Sequence, residues 1–292
     1  MVAATFDYHA PATLREAVAL LNDNADAKVL AGGHSLIPMM KLRLSEPSVV
    51  IDLGKVDGLS YVNESDGGLA IGAMTSYYDI VSSDAVQRHA RVVAEAAGLV
   101  ADPQVRNMGT IGGSLAHADP AADLPAVMLA LGAEFEASSR GVMGRVSTRT
   151  ISADEFFVDL FTTALEPDEI LTEIRIPSQG ANSGAAYAKM ANKASHFAIV
   201  GVAASVTVEG GSVSEARIGV TGAGSSASRA SDSEARLVGS AGDADSIRSA
   251  AGRAANGIEL NEDVHASAEY REHLTKVFAL RAITAAVERA SG

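Results

Sequence analysis

Apolar positions along this chain change their period several times, and the changes mark out its elements. Leu14, Ala17, Val18 and Leu21 recur at helical spacing behind Thr13-Leu14-Arg15-Glu16, a Thr-x-x-Glu capping box that satisfies two free backbone donors at a helix start. Residues 28–31 then read as a short buried strand ending in Gly32-Gly33, and 48–53 as a second β-rich run closed by Gly54. Strands are expected at 58–62 and 68–75 around the turn Ser65-Asp66-Gly67-Gly68. Helices are expected near 77–89 and 91–100, an open loop at 110–114, and a further helix over 121–131. Strands resume at 133–137, 145–151 and 170–176, and Pro177 with the small polar residues of 178–184 is the best linker in the chain. Beyond it, 185–190, 199–208 and 214–220 read as an antiparallel meander with Gly210-Gly211 as its hairpin turn. The closing helix carries a stripe of Tyr270, Leu274, Val277, Leu280, Ile283 and Val287, read as core packing. The expected fold class is α+β in three parts.

Composition narrows the function. A chain of 292 residues, 47% of them apolar and 20% charged, can bury a real core. Its net charge of -13 argues against nucleic acid and against anionic membrane surfaces, both of which select for clustered Lys and Arg. With no cysteine, disulfides, thiolate nucleophiles, Cys-ligated zinc and Cys-held iron–sulfur clusters are excluded from this chain. The N-terminus shows no secretory signal, and no apolar run approaches the roughly 20 residues that span a bilayer. A cytoplasmic location is expected, and association with the inner face of the membrane would come only through a larger complex.

Two glycine segments carry the candidate chemistry. Val29-Leu30-Ala31-Gly32-Gly33-His34-Ser35 places consecutive glycines directly after a strand, where positive φ and exposed N–H groups can cradle an anion such as a diphosphate. Asn107-Met108-Gly109-Thr110-Ile111-Gly112-Gly113-Ser114 supplies three more glycines and two hydroxyls. Each alone also reads as a plain turn; together they suit a grip on two stretches of one extended dinucleotide. No Gly-x-x-x-x-Gly-Lys-Ser/Thr occurs, so a P-loop is absent. Gly222-Ala223-Gly224-Ser225-Ser226-Ala227 matches the Gly-x-Gly-x-x-Ala spacing, yet no second apolar strand with an acidic end follows, and a strand-ending turn is preferred. The seven histidines lack paired metal spacing, and His117 reads as a polar residue beside the second segment. Lys41 and Arg43 are expected to face solvent or a partner. Asp119 and Asp123 are either helix-start carboxylates or, for Asp123, an acceptor for a ribose or adenine donor. No side-chain constellation performs acid–base or nucleophilic chemistry, which suits a cofactor that carries the reaction itself.

With Ala31-Gly32-Gly33-His34-Ser35-Leu36-Ile37-Pro38-Met39-Met40-Lys41-Leu42-Arg43-Leu44 and Thr110-Ile111-Gly112-Gly113-Ser114, the chain resembles the FAD-binding medium subunits of the molybdenum hydroxylase family. Phe6, Tyr8, Ala10, Pro11 and Thr13, the run His117 to Pro125, and Ala268-Glu269-Tyr270-Arg271 extend the likeness over nearly the whole chain, nearest to the carbon monoxide-oxidising branch. The resemblance implies a vanillyl-alcohol-oxidase (PCMH-type) FAD-binding domain of two subdomains, 1–56 and 57–177, and a C-terminal α/β domain, 178–292, with an antiparallel sheet and helices. It implies that Lys28, Val29, Leu30, Ala31, Gly32, Gly33, His34, Ser35 and Leu36 hold the diphosphate side of FAD. Thr110, Ile111, Gly112, Gly113 and Ser114 form the second grip, Asp123 contacts the nucleotide, and Leu171, Lys189 and Phe197 line the flavin region. Carbon monoxide enzymes tend to carry tyrosine where Phe197 stands, and xanthine-dehydrogenase relatives often have asparagine at Ser114. The implied partners are a large molybdenum-cofactor subunit and a small subunit with [2Fe–2S] clusters, in a dimer of heterotrimers that passes electrons through FAD to quinone or another acceptor. The alternatives are a related hydroxylase acting on an N-heterocycle or aldehyde, a self-sufficient flavin oxidase, and a non-catalytic assembly module.

Overall fold

Helix α1 (Leu14–Asp23) starts on the capping box its sequence requires: Thr13 Oγ1 accepts the Glu16 N–H at 3.2 Å, and the Glu16 carboxylate accepts the Thr13 N–H at 3.3 Å. Ala17, Val18 and Leu21 join Ala27, Val49 and Ile51 in one buried cluster. Thr13→Ala should therefore cost about 1 kcal/mol, seen as a lower urea midpoint at unchanged slope. The structure is a computed structural model describing residues 2–65 and 67–292; Asp66, in the turn expected at 65–68, lies outside them.

Among the described residues three larger sheets succeed one another along the chain, beside one two-stranded hairpin. Strands β1 (Asp7–His9), β2 (Ala27–Leu30) and β3 (Val49–Asp52) form a parallel sheet in the order β1-β3-β2. Helix α2 (Leu36–Lys41) leaves the end of β2 through the Gly32-Gly33 turn. The second sheet is antiparallel and built from β4 (Val62–Ser65), β5 (Gly68–Gly72), β6 (Glu134–Arg140), β7 (Val146–Ser152) and, beyond the small hairpin β8 (Phe157–Asp159) and β9 (Thr162–Thr163), β10 (Ile170–Pro177). Its order is β4-β5-β10-β6-β7. The strand expected at 58–62 begins only at Val62, because the Leu59 carbonyl accepts the Met74 N–H beyond the end of β5.

Six helices connect β5 to β6: α3 (Tyr77–Ser82), α4 (Asp84–His89), α5 (Arg91–Gly98), α6 (Pro103–Met108), α7 (Ile111–His117) and α8 (Asp123–Leu131). The single helix expected over 77–89 breaks at Ser83, whose hydroxyl caps α4 by accepting the Val86 N–H. Every residue of α8 is buried, and the helix packs on both the second and third sheets. A short helix, α9 (Ala153–Phe156), follows β7.

The third sheet confirms the meander. Strands β11 (Ser183–Ala191), β12 (Ala198–Glu209), β13 (Ser212–Thr221) and β14 (Ser228–Arg229) pair antiparallel in sequence order. Helices α10 (Ser231–Leu237), α11 (Ala244–Ala251) and α12 (Ala268–Ser291) complete this part. The buried face of α12 is rotated from the expected stripe: Leu274, Phe278, Ala279, Ala282, Ile283 and Ala286 are buried, while Tyr270 is exposed. Alanines make the contact because helix and strand lie so close that a Cβ at Gly184 would stand 2.2 Å from the Ala286 carbonyl oxygen. The segment 222–227 leads from β13 into antiparallel β14 rather than into a helix, so the Rossmann-like spacing is a turn. Gly222, at φ +78, has no room for a side chain beside the Ile199 carbonyl. Among the described residues no helix is long and apolar enough to cross a membrane.

Candidate cofactor site

The β2–α2 turn and helix α7 face one cavity of about 770 Å³, inside the range of roughly 300–1,000 Å³ typical of cofactor sites. Every residue expected at the site lines it except Leu30, Ile111 and Lys189. Ile111 is fully buried in the core with Leu115, and the Leu30 side chain lies beneath the Gly33 turn. Lys189 stands behind the wall.

The first segment is an open cradle. Gly33 turns the chain at φ +75, and its carbonyl and that of Ser35 accept the Ile37 and Met39 N–H groups as α2 begins. The N–H groups of Gly32, Gly33, His34 and Ser35 bond to no protein group among the described residues. Successive unpaired N–H groups around a left-handed residue form an anion nest. His34 Nδ1 lies 2.8 Å from the Gly32 carbonyl oxygen and donates to it, which fixes the ring over the turn. The absence of a side chain at Gly32 has a separate cause. A Cβ there would sit 2.0 Å from the Met108 carbonyl oxygen and 2.8 Å from the Gly109 Cα, so the two glycine segments cross backbone to backbone.

The second segment corrects the expectation of a loop, because it is the N-terminus of α7. Thr110 caps the helix by accepting the Gly113 N–H at 3.1 Å. The Ile111, Gly112 and Ser114 N–H groups go to the carbonyls of Thr75, Ala73 and Thr110. All four donors are thus used within the protein, and this segment is no second nest. Its contribution is a small-residue face with the Thr110 and Ser114 hydroxyls, in which Gly113 lies against Ala31. The signal was present in the sequence, since Thr110 precedes Ile111 and Leu115 at i, i+4 spacing.

Behind the wall lies a buried ionic cluster. The Asp123 carboxylate accepts from the Tyr187 hydroxyl at 2.5 Å and from Lys189 Nζ at 2.9 Å, with the Lys and Asp side chains only 5% and 4% exposed. Lys189 also donates to the Leu99 carbonyl at 2.9 Å and the His196 carbonyl at 2.7 Å. Its three N–H donors are therefore all engaged, and it joins the end of α5, the start of α8 and the turn before Phe197. Burial pushes the Asp123 carboxyl above the usual carboxylate value, against the opposing pull of Lys189 and the Tyr187 hydroxyl. Burial, aided by Asp123, also drives the Tyr187 hydroxyl far up. Asp123 is thus no solvated helix-start charge. Asp119 instead accepts the Ala121 N–H at 2.8 Å.

Several lining residues escaped the sequence reading. Asp102 caps α6 with Pro103 behind it, a legible start signal. Tyr77 is buried, and burial pushes its hydroxyl up to about 12. His117, expected beside the second segment, does line the cavity, one turn beyond Ser114; burial lowers its pKa below the ordinary value against the opposing pull of Asp119. Phe161 gave no sequence signal. Lys41 and Arg43 are exposed, as expected. No cluster of metal-ligating side chains exists among the described residues. The free N–H cradle, the side-chain-free crossing at Gly32 and the aromatic lining together fit an extended anionic dinucleotide such as FAD.

Comparison with known proteins agrees. Residues 4–179 match the model described as the FAD binding domain in molybdopterin dehydrogenase, and residues 185–286 the CO dehydrogenase flavoprotein C-terminal domain. The chain is 41% identical over 290 residues to the carbon monoxide dehydrogenase medium chain of Hydrogenophaga pseudoflava, covering 99% of both chains. It is 39% identical over 282 residues to the nicotine 6-hydroxylase medium subunit of Paenarthrobacter nicotinovorans, covering 97% of both. A solved carbon monoxide dehydrogenase of Hydrogenophaga pseudoflava superposes with a TM-score of 0.94 at 42% identity, covering 99% of each chain. The chain accordingly belongs to the FAD-binding subunits of the molybdenum hydroxylases, a family of oxidoreductases.

Proposed function

We propose that this chain is the electron-transfer subunit of an aerobic carbon monoxide dehydrogenase, taking electrons from [2Fe–2S] clusters on a small partner subunit and passing them to quinone or another acceptor. The observation that carries this reading is the meeting of both glycine segments at one cavity, with the free N–H groups of residues 32–35 on one side. In it, those groups hold the diphosphate, Gly113, Ser114 and Thr110 bear on the cofactor from the other side, and Leu171 and Phe197 flank the flavin. Asp123 keeps carboxylate lone pairs beyond its two internal bonds and can accept one more donor from the nucleotide. Lys189 contributes by fixing the wall. FAD, when bound, supplies the redox chemistry; the chain's residues bind it, orient it and limit solvent access. A chain without cysteine leaves the iron–sulfur clusters to a partner, and we assign it a dimer of heterotrimers in the cytoplasm, with a large molybdenum-cofactor subunit.

Purification together with its natural partners should yield one FAD per chain alongside iron–sulfur signals and turnover of carbon monoxide with an artificial acceptor. A complex that carries no flavin contradicts the assignment. A second reading, a related hydroxylase acting on an N-heterocycle, is favoured by the 39% identity to the nicotine enzyme's medium subunit, close behind the 41% to the carbon monoxide enzyme's medium chain. Turnover of a pyridine substrate and none of carbon monoxide would select it.

A further inference from the structure

Phe161 occupies the tip of the β8–β9 hairpin with φ +51, a left-handed conformation that side chains other than Gly and Asn rarely adopt. The hairpin is built to hold it there. Asp159 Oδ1 accepts the Leu160 N–H at 2.7 Å, and the Thr162 hydroxyl donates to the Leu160 carbonyl at 3.0 Å. The ring is not anchored in a core. Phe156 and Phe157, a few residues earlier, pack on Phe135 at 4.3 and 6.0 Å, whereas Phe161 remains 51% exposed. Its one ring neighbour among the described residues is His117, with centroids 5.1 Å apart, on the cavity-lining face of α7. A bulky aromatic kept in a strained turn, outside any core and on a cavity wall, points to function, since strain of this kind persists where a site needs it.

We propose that Phe161, backed by the His117 ring, is a cofactor-contact residue whose ring packs against the isoalloxazine of FAD. The reasoning rests on the cavity being the FAD site. The two rings are tilted 38° to each other, so the half-exposed Phe161 face is the one that would receive a planar heteroaromatic group, and offset or tilted packing of such rings is favourable. The choice of isoalloxazine over adenine follows from the half-exposed position: a ring that exchanges electrons with other proteins must lie near the surface, while an adenine has no such need.

Phe161→Gly tests this in the flavin-loaded protein purified with its partners. Glycine relaxes the left-handed turn, so the flavin-stripped variant should melt at the same temperature as the unaltered protein or higher. Its FAD affinity should nonetheless fall on the order of tenfold, as loss of an aromatic contact implies, and the visible circular dichroism of the bound flavin should change. Phe161→Tyr should restore both affinity and spectrum. The inference is overturned if Phe161→Gly leaves affinity and spectrum unchanged, or if it weakens ADP as much as FAD, which would assign the ring to the adenine. It is also overturned if the melting temperature of the stripped protein falls along with the affinity, since the ring would then be structural. An unaltered complex without flavin would remove the functional reading itself, which separates that failure from this one.

Discussion

Gly32→Ala will destabilise the protein by about 3 kcal/mol and strip most of its flavin, a larger effect than its single added methyl suggests. The new Cβ would stand 2.0 Å from the Met108 carbonyl oxygen and 2.7 Å from its carbon, with the Gly109 Cα at 2.8 Å. These are backbone atoms with no rotamer to yield, so the β2–α2 turn must part from the chain entering α7. That parting opens the wall between the two segments, and the loss of fold and of cofactor should come together. Gly33→Ala provides the comparison. There the nearest atom is the side-chain carbon Ile37 Cγ1 at 3.1 Å, which has to give by a few tenths of an ångström but belongs to a side chain rather than to backbone. The main penalty is the left-handed φ of +75, on the order of 1 kcal/mol. Urea unfolding and the flavin-to-protein absorbance ratio measure both variants. Equal effects at the two positions would show that the segments are free to separate.

Lys189→Met will cost about 3 kcal/mol at pH 8 and markedly less at pH 5, because it leaves the Asp123 carboxylate buried without its cation. The sign follows from the carboxyl's shift. Burial already raises the folded value of Asp123 above the unfolded value of about 3.9, and removal of Lys189 takes away the main opposing influence. For an acid with a raised folded value, the stabilisation is whole below the unfolded value and is lost as the pH rises through the folded one. The variant should therefore gain stability on acidification from pH 8 to 5 relative to the unaltered protein. The Leu99 and His196 carbonyls lose a donor at any pH, so recovery should be incomplete. Denaturant midpoints across that range check the prediction; a pH-independent difference would mean that Asp123 is not the group left unpaired.

Much of this architecture was legible in the sequence because its signals are local. The capping box at Thr13, the Gly210-Gly211 hairpin and the meander of β11 to β13 each depend on residues a few positions apart. The turn reading of 222–227 was available from what the following sequence lacked. Three features were obscured because their causes lie far along the chain. Gly32 is glycine on account of Met108 and Gly109, a crossing that neither segment betrays alone. Lys189 is set apart by carbonyls at Leu99 and His196, which no side-chain pattern encodes. The contact face of α12 follows its alanines rather than its larger residues because strand and helix nearly touch at Gly184. The helical start at Thr110 was different in kind, since its cap signal was present and the glycines after it masked it.

Among the candidate site residues, position was easier to read than role. The two glycine segments line one cavity, yet only the first offers unpaired N–H groups, while the second has committed its own to capping α7. The same division separates Asp123, which lines the cavity, from Lys189, which holds Asp123 in place.

Crystals of the flavin-loaded complex would show directly where the cofactor's diphosphate lies. Oxygen atoms within hydrogen-bond reach of the Gly32 to Ser35 N–H groups, with the same molecule continuing past Gly113 and Ser114, are what this account requires. A diphosphate seated elsewhere, for instance at the turn after β13, would contradict it.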